Sequence, residues 1–345
     1  MIRAGRRDYS GGGIMAGMRL ALAFLLAAAA PAAEPPSLEA LLAGAAGGDS
    51  EAQYQLAQRY AQGAGVKTDQ TAANDWFVKA AQQGHLGATA KLGCRLLEWG
   101  TKPEERALGH SFLERAADAG HPAAQFQRGV VYDEGVDRRA DPKAAFRWYE
   151  RSARSGLARG QALTGFCLWK GLGVKKDGAK ARRWLKAGAD AGQAHAQFLL
   201  GVMAEEGDGA PRDLARALEW YRLAASQDLP MAQFRIGRMY GRGQIRGGGL
   251  PESFVWLRKA AEQGYPDAQY AVGLAFQHGR GVPASAVEAY VWLFLAEEAG
   301  HADAAEPLSQ VAPRLTPDEL EAARGLVSGR RRPAPVMFKD ARDPC

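Results

Sequence analysis

Cysteine is scarce in this chain. Three occur in 345 residues, Cys94, Cys167 and Cys345, and an odd number leaves at least one thiol over. They lack the paired spacing of a zinc site, so neither a metal-held nor a disulfide-dense scaffold is expected. Strand patterning is missing too, because no stretch sustains a period-two alternation of apolar and polar residues. There is no G-x-S-x-G elbow, no phosphate-binding P-loop and no dinucleotide fingerprint. His110, His195 and His278 have no partner at ligand spacing. Neither sign of charge dominates: 44 Lys and Arg against 38 Asp and Glu leave a net +6. Such a mild excess suits an acidic protein, an anionic polysaccharide or a membrane surface as well as nucleic acid. With 47% hydrophobic and 9% aromatic residues, the chain can build a packed core.

Long apolar runs are short of membrane length. Arg19 precedes the apolar run 20–30, and Pro31-Ala32-Ala33 offers small residues for cleavage. That run is too short to cross a bilayer as a helix, so it reads as an export signal. Translation can be read from Met1, Met15 or Met18. Arg6-Arg7 lacks the sequence that follows a twin-arginine signal and stands far from the apolar run. No cysteine near the cleavage region could carry a lipid anchor. The mature chain is expected to begin near Ala33 or Glu34, to be periplasmic or secreted, and to keep no membrane span.

The rest is a repeat. Sliding the chain against itself gives a 36-residue register without insertion or deletion. Counting from the first anchor, the series are Ala52, Ala88, Ala124, Gly160, Ala196, Ala232, Ala268 at offset 0, and Ala57, Gly93, Gly129, Gly165, Gly201, Gly237, Gly273 at offset 5. Offset 24 holds Trp76, Phe112, Trp148, Trp184, Trp220, Trp256 and Trp292. Offset 32 holds Gly84, Gly120, Gly156, Gly192, Asp228, Gly264 and Gly300. Each unit reads as two helices. Offsets 0, 1, 4, 5 and 8 share one face of the first, glycine near offsets 11 and 13 ends it, and the second carries the tryptophan position and stops at the offset-32 glycine. A position filled in every repeat cannot mark a single site, so the tryptophans read as core. His85, His121 and His301 share one position after the cap glycine, which argues for packing rather than metal binding. Cys94 and Cys167 fall two repeats apart, roughly 20 Å when helices stack at about 10 Å, so both read as small buried thiols.

These residues resemble the Sel-one-like repeat family, relatives of the tetratricopeptide repeat with a longer unit. Repeat 1 carries the likeness in Ala52-Gln53-Tyr54-Gln55-Leu56-Ala57, Tyr60, Gly63-Ala64-Gly65-Val66, Asp69, Trp76 and Lys79-Ala80-Ala81-Gln82-Gln83-Gly84. The resemblance covers residues 37–327 and implies an all-α, right-handed solenoid of antiparallel helix pairs used as an adaptor or scaffold. Repeat 2 departs from it, with Trp99-Gly100-Thr101-Lys102 in place of the glycine turn. Repeat 6 does too, with Ile245-Arg246-Gly247-Gly248-Gly249, which reads as a mobile loop. Some cysteine-rich relatives are assigned β-lactam binding or hydrolysis. Those carry a cysteine pair in each repeat, which this chain does not.

The expected organisation is an N-terminal extension and signal over 1–33, a capping half-repeat over 37–48 and seven repeats over 49–301. Capping helices over 302–328 and a disordered tail over 329–345 complete it. The front cap should turn Leu38, Leu41 and Leu42 inward. At the back, Thr316-Pro317-Asp318-Glu319 is a capping box with proline at the first helical position, ahead of a helix through Leu320, Ala323 and Leu326.

Function in a repeat array lies on the positions that vary. Offsets 3, 6 and 10 of the first helix point roughly 240–300° round the wheel, away from a core near about 70°, and should line the concave side. Repeats 3 to 5 place Val130, Leu163, Phe166, Leu199 and Val202 there, and repeat 6 places Arg235, Arg238 and Arg242. Two readings stay open: a partner-binding groove, or apolar groups packed on a neighbour beside solvated arginines. Between residues 124 and 195 there are 15 Lys and Arg against 7 Asp and Glu, with Arg147, Arg151, Arg154, Arg182, Arg183 and Lys186 on second helices. The leading expectation is an exported, non-enzymatic scaffold without cofactor or metal that holds a protein or peptide in the groove. The alternative is an anionic-glycan or cell-wall module using the basic convex side, and export argues against nucleic acid.

Overall fold

The computed structural model describes residues 36–335. The export segment, the mature N-terminus and Cys345 lie outside the described residues. The described residues form seventeen α-helices and one 3₁₀ turn, with no strand among them. The described residues divide into two compact units, residues 36–76 and 77–335.

The first unit contains α1 (Leu38–Ala46), α2 (Ser50–Gln62) and the start of α3 (Gln70–Gln82). Ser37 caps α1, its Oγ accepting from the Ala40 amide at 3.1 Å. Asp49 caps α2 by accepting from Glu51 and Ala52. Leu41, Ala45, Ala52 and Leu56 are buried together, flanked by Leu38, Tyr60 and Trp76. Leu42, expected inside, is exposed instead. On α1 it stands 100° from Leu41, which takes the buried position.

The second unit continues in antiparallel pairs: α4 (Leu86–Trp99) with α5 (Pro103–Asp118), α6 (Pro122–Glu134) with α7 (Pro142–Arg154), and α8 (Ala158–Lys170) with α9 (Gly178–Asp190). Three more follow: α10 (Ala194–Glu206) with α11 (Leu214–Ala225), α12 (Pro230–Gly241) with α13 (Leu250–Glu262), and α14 (Pro266–His278) with α15 (Ala286–Glu298). Then come α16 (Ala305–Val311), the 3₁₀ turn Ala312–Arg314 and α17 (Pro317–Arg330).

The repeat positions now have physical causes. The offset-5 glycine is a contact between the two helices of a pair. A Cβ on Gly165 would stand 2.6 Å from Leu185, and one on Gly201 would stand 2.5 Å from Tyr221. The group that fills this space sits at offset 25 (Leu113, Tyr149, Leu185, Tyr221, Leu257, Leu293), and all six are buried. The offset-32 glycines adopt φ of 83–90°, for which only glycine avoids a Cβ clash; Asp228 takes the same left-handed turn at φ 59°. Glutamine at offset 1 is buried, except for the half-buried Gln161, and reaches open carbonyls of the preceding helix: Gln125 Nε2 donates to Ala117 O at 3.2 Å, and Gln197 to Ala189 O at 3.3 Å. Two of the histidines at the shared position, His85 and His121, are helix N-caps, whereas His301 Nδ1 accepts from Asp303 N in a turn. His85 Nδ1 accepts from Ala88 N at 3.1 Å and His121 Nδ1 from Ala124 N at 3.3 Å, while Gln193 does the same for Ala196.

Several expectations need correction. Cys94 is disulfide-bonded rather than a free buried thiol, whereas Cys167 is free and buried. The repeat-6 loop is anchored, because Ile245 is buried in the main core and the Gly249 amide donates to Glu252. In repeat 2 the missing glycine turn is replaced by polar contacts, with Glu105 accepting from Thr101 N and Arg106 reaching Leu97 O at 2.8 Å. The capping box is present, Thr316 and Glu319 exchanging their contacts. Ala323 and Val327 face inward, whereas Leu326 is exposed. The tail does not begin at residue 329. Helix α17 runs to Arg330, and Pro333 O passes 2.8 Å from where a Cβ on Gly264 would stand.

Candidate functional site

The first helices of repeats 3 to 7 carry the variable row, and the structure divides it. Leu163, Leu199 and Val202 are buried, so they are packing groups and not groove contacts. The helical wheel considers one partner helix, but a first helix in the array also meets the first helix of the next repeat, as α8 meets α10. First-helix neighbours of this kind add cover that the wheel omits. Val130 and Phe166 keep part of their surface, each packed at the edge of a core cluster. The Phe166 ring stands edge-on to Trp169, centroids 6.4 Å apart. Arg235 and Arg238 are half-buried and Arg242 is exposed.

A polar pair that the repeat pattern does not announce underlies this face. Tyr149 donates to Asp133 at 3.2 Å, and two repeats later Tyr221 donates to Glu205 at 2.6 Å. Burial, together with the nearby carboxylates, pushes both phenols far above their ordinary range. The sequence holds a trace of the pairing: tyrosine at offset 25 occurs where offset 9 is acidic, in repeats 3 and 5. Glu205 also accepts from Arg235 at 3.3 Å, which ties repeat 6 to repeat 5.

Arg238 lies beside that chain of contacts, its guanidinium 5.5 Å from the Phe234 ring centre. Burial, then the charges of Arg242 and Arg235, hold its pKa below the ordinary arginine value. No ion-pair partner reaches Arg238 or Arg242 within 4 Å among the described residues. The other carboxylate near them, Asp267, is engaged by His301 at 3.4 Å. The His301 ring stacks on Tyr270, with centroids 4.3 Å apart.

The opposite face, formed by second helices, is more committed. Trp76, Trp148, Trp184, Trp220 and Trp256 are half-buried rather than full core, and only Trp292 of that series is buried. Cations cover four of these rings: Arg151 over Trp148 at 4.6 Å, Lys186 over Trp220 at 5.9 Å, Lys259 over Trp256 at 4.7 Å and Arg330 over Trp292 at 5.2 Å. Arg154 pairs with Glu150, Lys186 with Asp190, and Arg182 donates to Asp208 O. Most of the basic excess there is used within the protein, leaving Arg147 and Arg183 as exposed cations without a side-chain partner among the described residues.

No group of three or more His, Cys, Asp or Glu that could hold a metal occurs among the described residues. Burial and Asp133 push the Cys167 thiol up to about 12, so it is not a thiolate near neutral pH. No helix among the described residues is long and apolar enough to cross a membrane.

Comparison with known proteins accords with the geometry. The Sel1 repeat family model matches seven times, over residues 50–85, 87–121, 122–157, 158–193, 194–229, 230–265 and 266–301. Among solved structures, the chain is similar to a Sel1 repeat protein from Oxalobacter formigenes, at 31% identity over 79% of each chain and a TM-score of 0.63. A protective antigen of uropathogenic Escherichia coli with an SLR fold aligns at 22% identity, covering 86% of this chain and 94% of its own, with a TM-score of 0.33. An immunity protein from Pseudomonas aeruginosa aligns at 18% identity, covering 64% and 83%, with a TM-score of 0.43. No curated protein matches the chain by sequence. Seven matched units in 36-residue register, each folded as a helix pair, establish that this chain belongs to the Sel1 repeat family of all-α solenoids.

Proposed function

We propose that this protein is a non-enzymatic scaffold of the cell envelope or secreted fraction that binds a partner protein or peptide along the first-helix face of repeats 3 to 7. One observation carries the reading: the positions that differ between repeats gather on this face, and they include groups that keep apolar surface or carry charge without an ion pair among the described residues. Phe166 and Val130 keep exposed apolar surface, and Arg238 and Arg242 have no ion-pair partner among the described residues. The second-helix face, by contrast, uses most of its cations on its own tryptophans and carboxylates. The scaffold role is the use the Sel1 repeat fold supports best. Export rests on the 20–30 apolar run and the small residues that follow.

A photo-crosslinking residue placed at Phe166, and separately at Arg183 on the other face, tests the proposal in intact cells. Discrete crosslinked partners from Phe166 alone support it. Equal or stronger products from Arg183 would move the binding face to the second helices and favour the anionic-glycan alternative. Mass determination of the mature chain tests export, which requires an N-terminus near Ala33 or Glu34.

A further inference from the structure

We infer that the Arg238–Arg242 edge of α12 is a docking site for an acidic partner peptide, two of whose carboxylate side chains lie on the same side of an extended backbone. The inference rests on the first-helix face being the binding face and names what that face reads. Three arginines, Arg235, Arg238 and Arg242, crowd one side of a single helix. Among the described residues, the carboxylates whose charge acts on Arg238 are Glu205 and Asp267, and both have other duties. Glu205 accepts from Tyr221 at 2.6 Å and from Arg235 at 3.3 Å, and Asp267 faces His301 at 3.4 Å. Two guanidinium groups are therefore left with their charge unneutralised by contact. A half-buried cation that repels its neighbours gains most from an incoming anion, since part of its hydration is already lost.

The spacing selects the ligand. The Arg242 amide donates to Arg238 O at 3.0 Å, so the two residues are one helical turn apart, about 6 Å along the axis. In an extended peptide, side chains at i and i+2 share a side and lie about 6.6 Å apart. An acidic-x-acidic segment running along α12 can thus give one carboxylate to each arginine. Arginine suits this task because its planar fork binds a carboxylate through two parallel hydrogen bonds. Phe234, beneath Arg238, limits the motion of that fork. A single C-terminal carboxylate would occupy one guanidinium and leave the other unused.

The test uses the full mature chain and labelled dodecapeptides in a Gly/Ser background, read by fluorescence anisotropy at low salt. One peptide carries Glu-Val-Glu and an amidated C-terminus, one carries Gln-Val-Gln with the same amide, and one carries Gln-Val-Gln with a free carboxylate. Binding of the first alone, weakened about tenfold by Arg238→Gln or Arg242→Gln and unchanged by Arg183→Gln, is the expected result. Binding of the free-carboxylate peptide instead would overturn the two-carboxylate geometry. Equal binding of the Glu and Gln peptides, or loss only with Arg183→Gln, would overturn the site itself. Should Arg238→Gln lower the melting temperature, the exposed Arg242→Gln variant still decides the matter. Crosslinking from Phe166 that persists in Arg242→Gln cells, with no acidic-peptide binding, would sink this inference while leaving the scaffold reading intact.

Discussion

Arg330→Ala is expected to loosen the C-terminal end of the array and nothing else. Arg330 closes α17 onto α15 through two hydrogen bonds to Glu288, at 2.6 and 3.1 Å, and covers the Trp292 ring from 5.2 Å. Both partners of the ion pair keep under a third of their side-chain surface exposed, 29% and 27%. A partly buried, two-point pair and a cation over a buried tryptophan together contribute about 2 kcal/mol. Repeats couple mainly to their neighbours, so the loss stays at this end. About 2 kcal/mol corresponds to roughly 30-fold faster amide exchange in α17 and the facing part of α15. Hydrogen exchange read by mass spectrometry supplies the assay, and α6 to α9 should keep wild-type protection. Arg331→Ala is the control, because its pair with Glu298 is more exposed and contributes little. A double-mutant cycle with Glu288→Gln should return a favourable coupling. Burial alone would raise the Glu288 carboxyl, but the Arg330 hydrogen bonds and charge outweigh it and hold the group below its ordinary range. Its contribution is therefore present above the unfolded carboxyl pKa and fades as pH falls through the lower folded value. Unchanged α17 protection in Arg330→Ala, or an equal loss from Arg331→Ala, would refute the cap assignment.

Asp228→Gly should raise the melting temperature slightly, gaining about 0.5–1 kcal/mol, because Asp228 alone among the offset-32 residues bears a side chain in the left-handed turn. A thermal melt checks it, and a lower midpoint would mean that the aspartate side chain supplies something the backbone argument omits. Gly201→Ala should cost about 1–3 kcal/mol, since the added carbon meets the Tyr221 ring at 2.5 Å; urea denaturation that left the midpoint unchanged would show that the helix pair relaxes freely. Burial and the charge of His85 hold the His121 imidazole below the ordinary histidine range. Its neutral Nδ1 caps α6, so the stability it contributes is present above the unfolded histidine pKa and is lost as pH falls through the folded value. His121→Asn keeps a cap acceptor without the titration and should flatten the loss of stability between pH 7 and 5, as followed by denaturation at each pH; parallel curves for the two proteins would reject the assignment.

What the sequence made legible were contacts that recur at one fixed separation. Gly165 against Leu185 and Gly201 against Tyr221 are both twenty residues apart, so glycine at offset 5 stands out as a periodic position in the amino-acid order itself. Three members of the groove row, Leu163, Leu199 and Val202, turned out to be packing groups for the complementary reason. Leu199 and Val202 look outward on a wheel that considers their own hairpin, and further cover comes from first helices 36 residues away, which a single helix cannot report. The Tyr221–Glu205–Arg235 chain escaped notice because each pairwise step uses a different separation, sixteen residues and then thirty, and holds in only some repeats. Features that vary between repeats are invisible to a search for periodicity, yet individuality must reside there, since the shared positions are already occupied in holding the array together. Arg238 and Arg242 stand on the variable side of that division. Their neighbours Glu205 and Asp267 are taken up by Tyr221, Arg235 and His301, so the charge of both arginines is left without an ion-pair contact among the described residues.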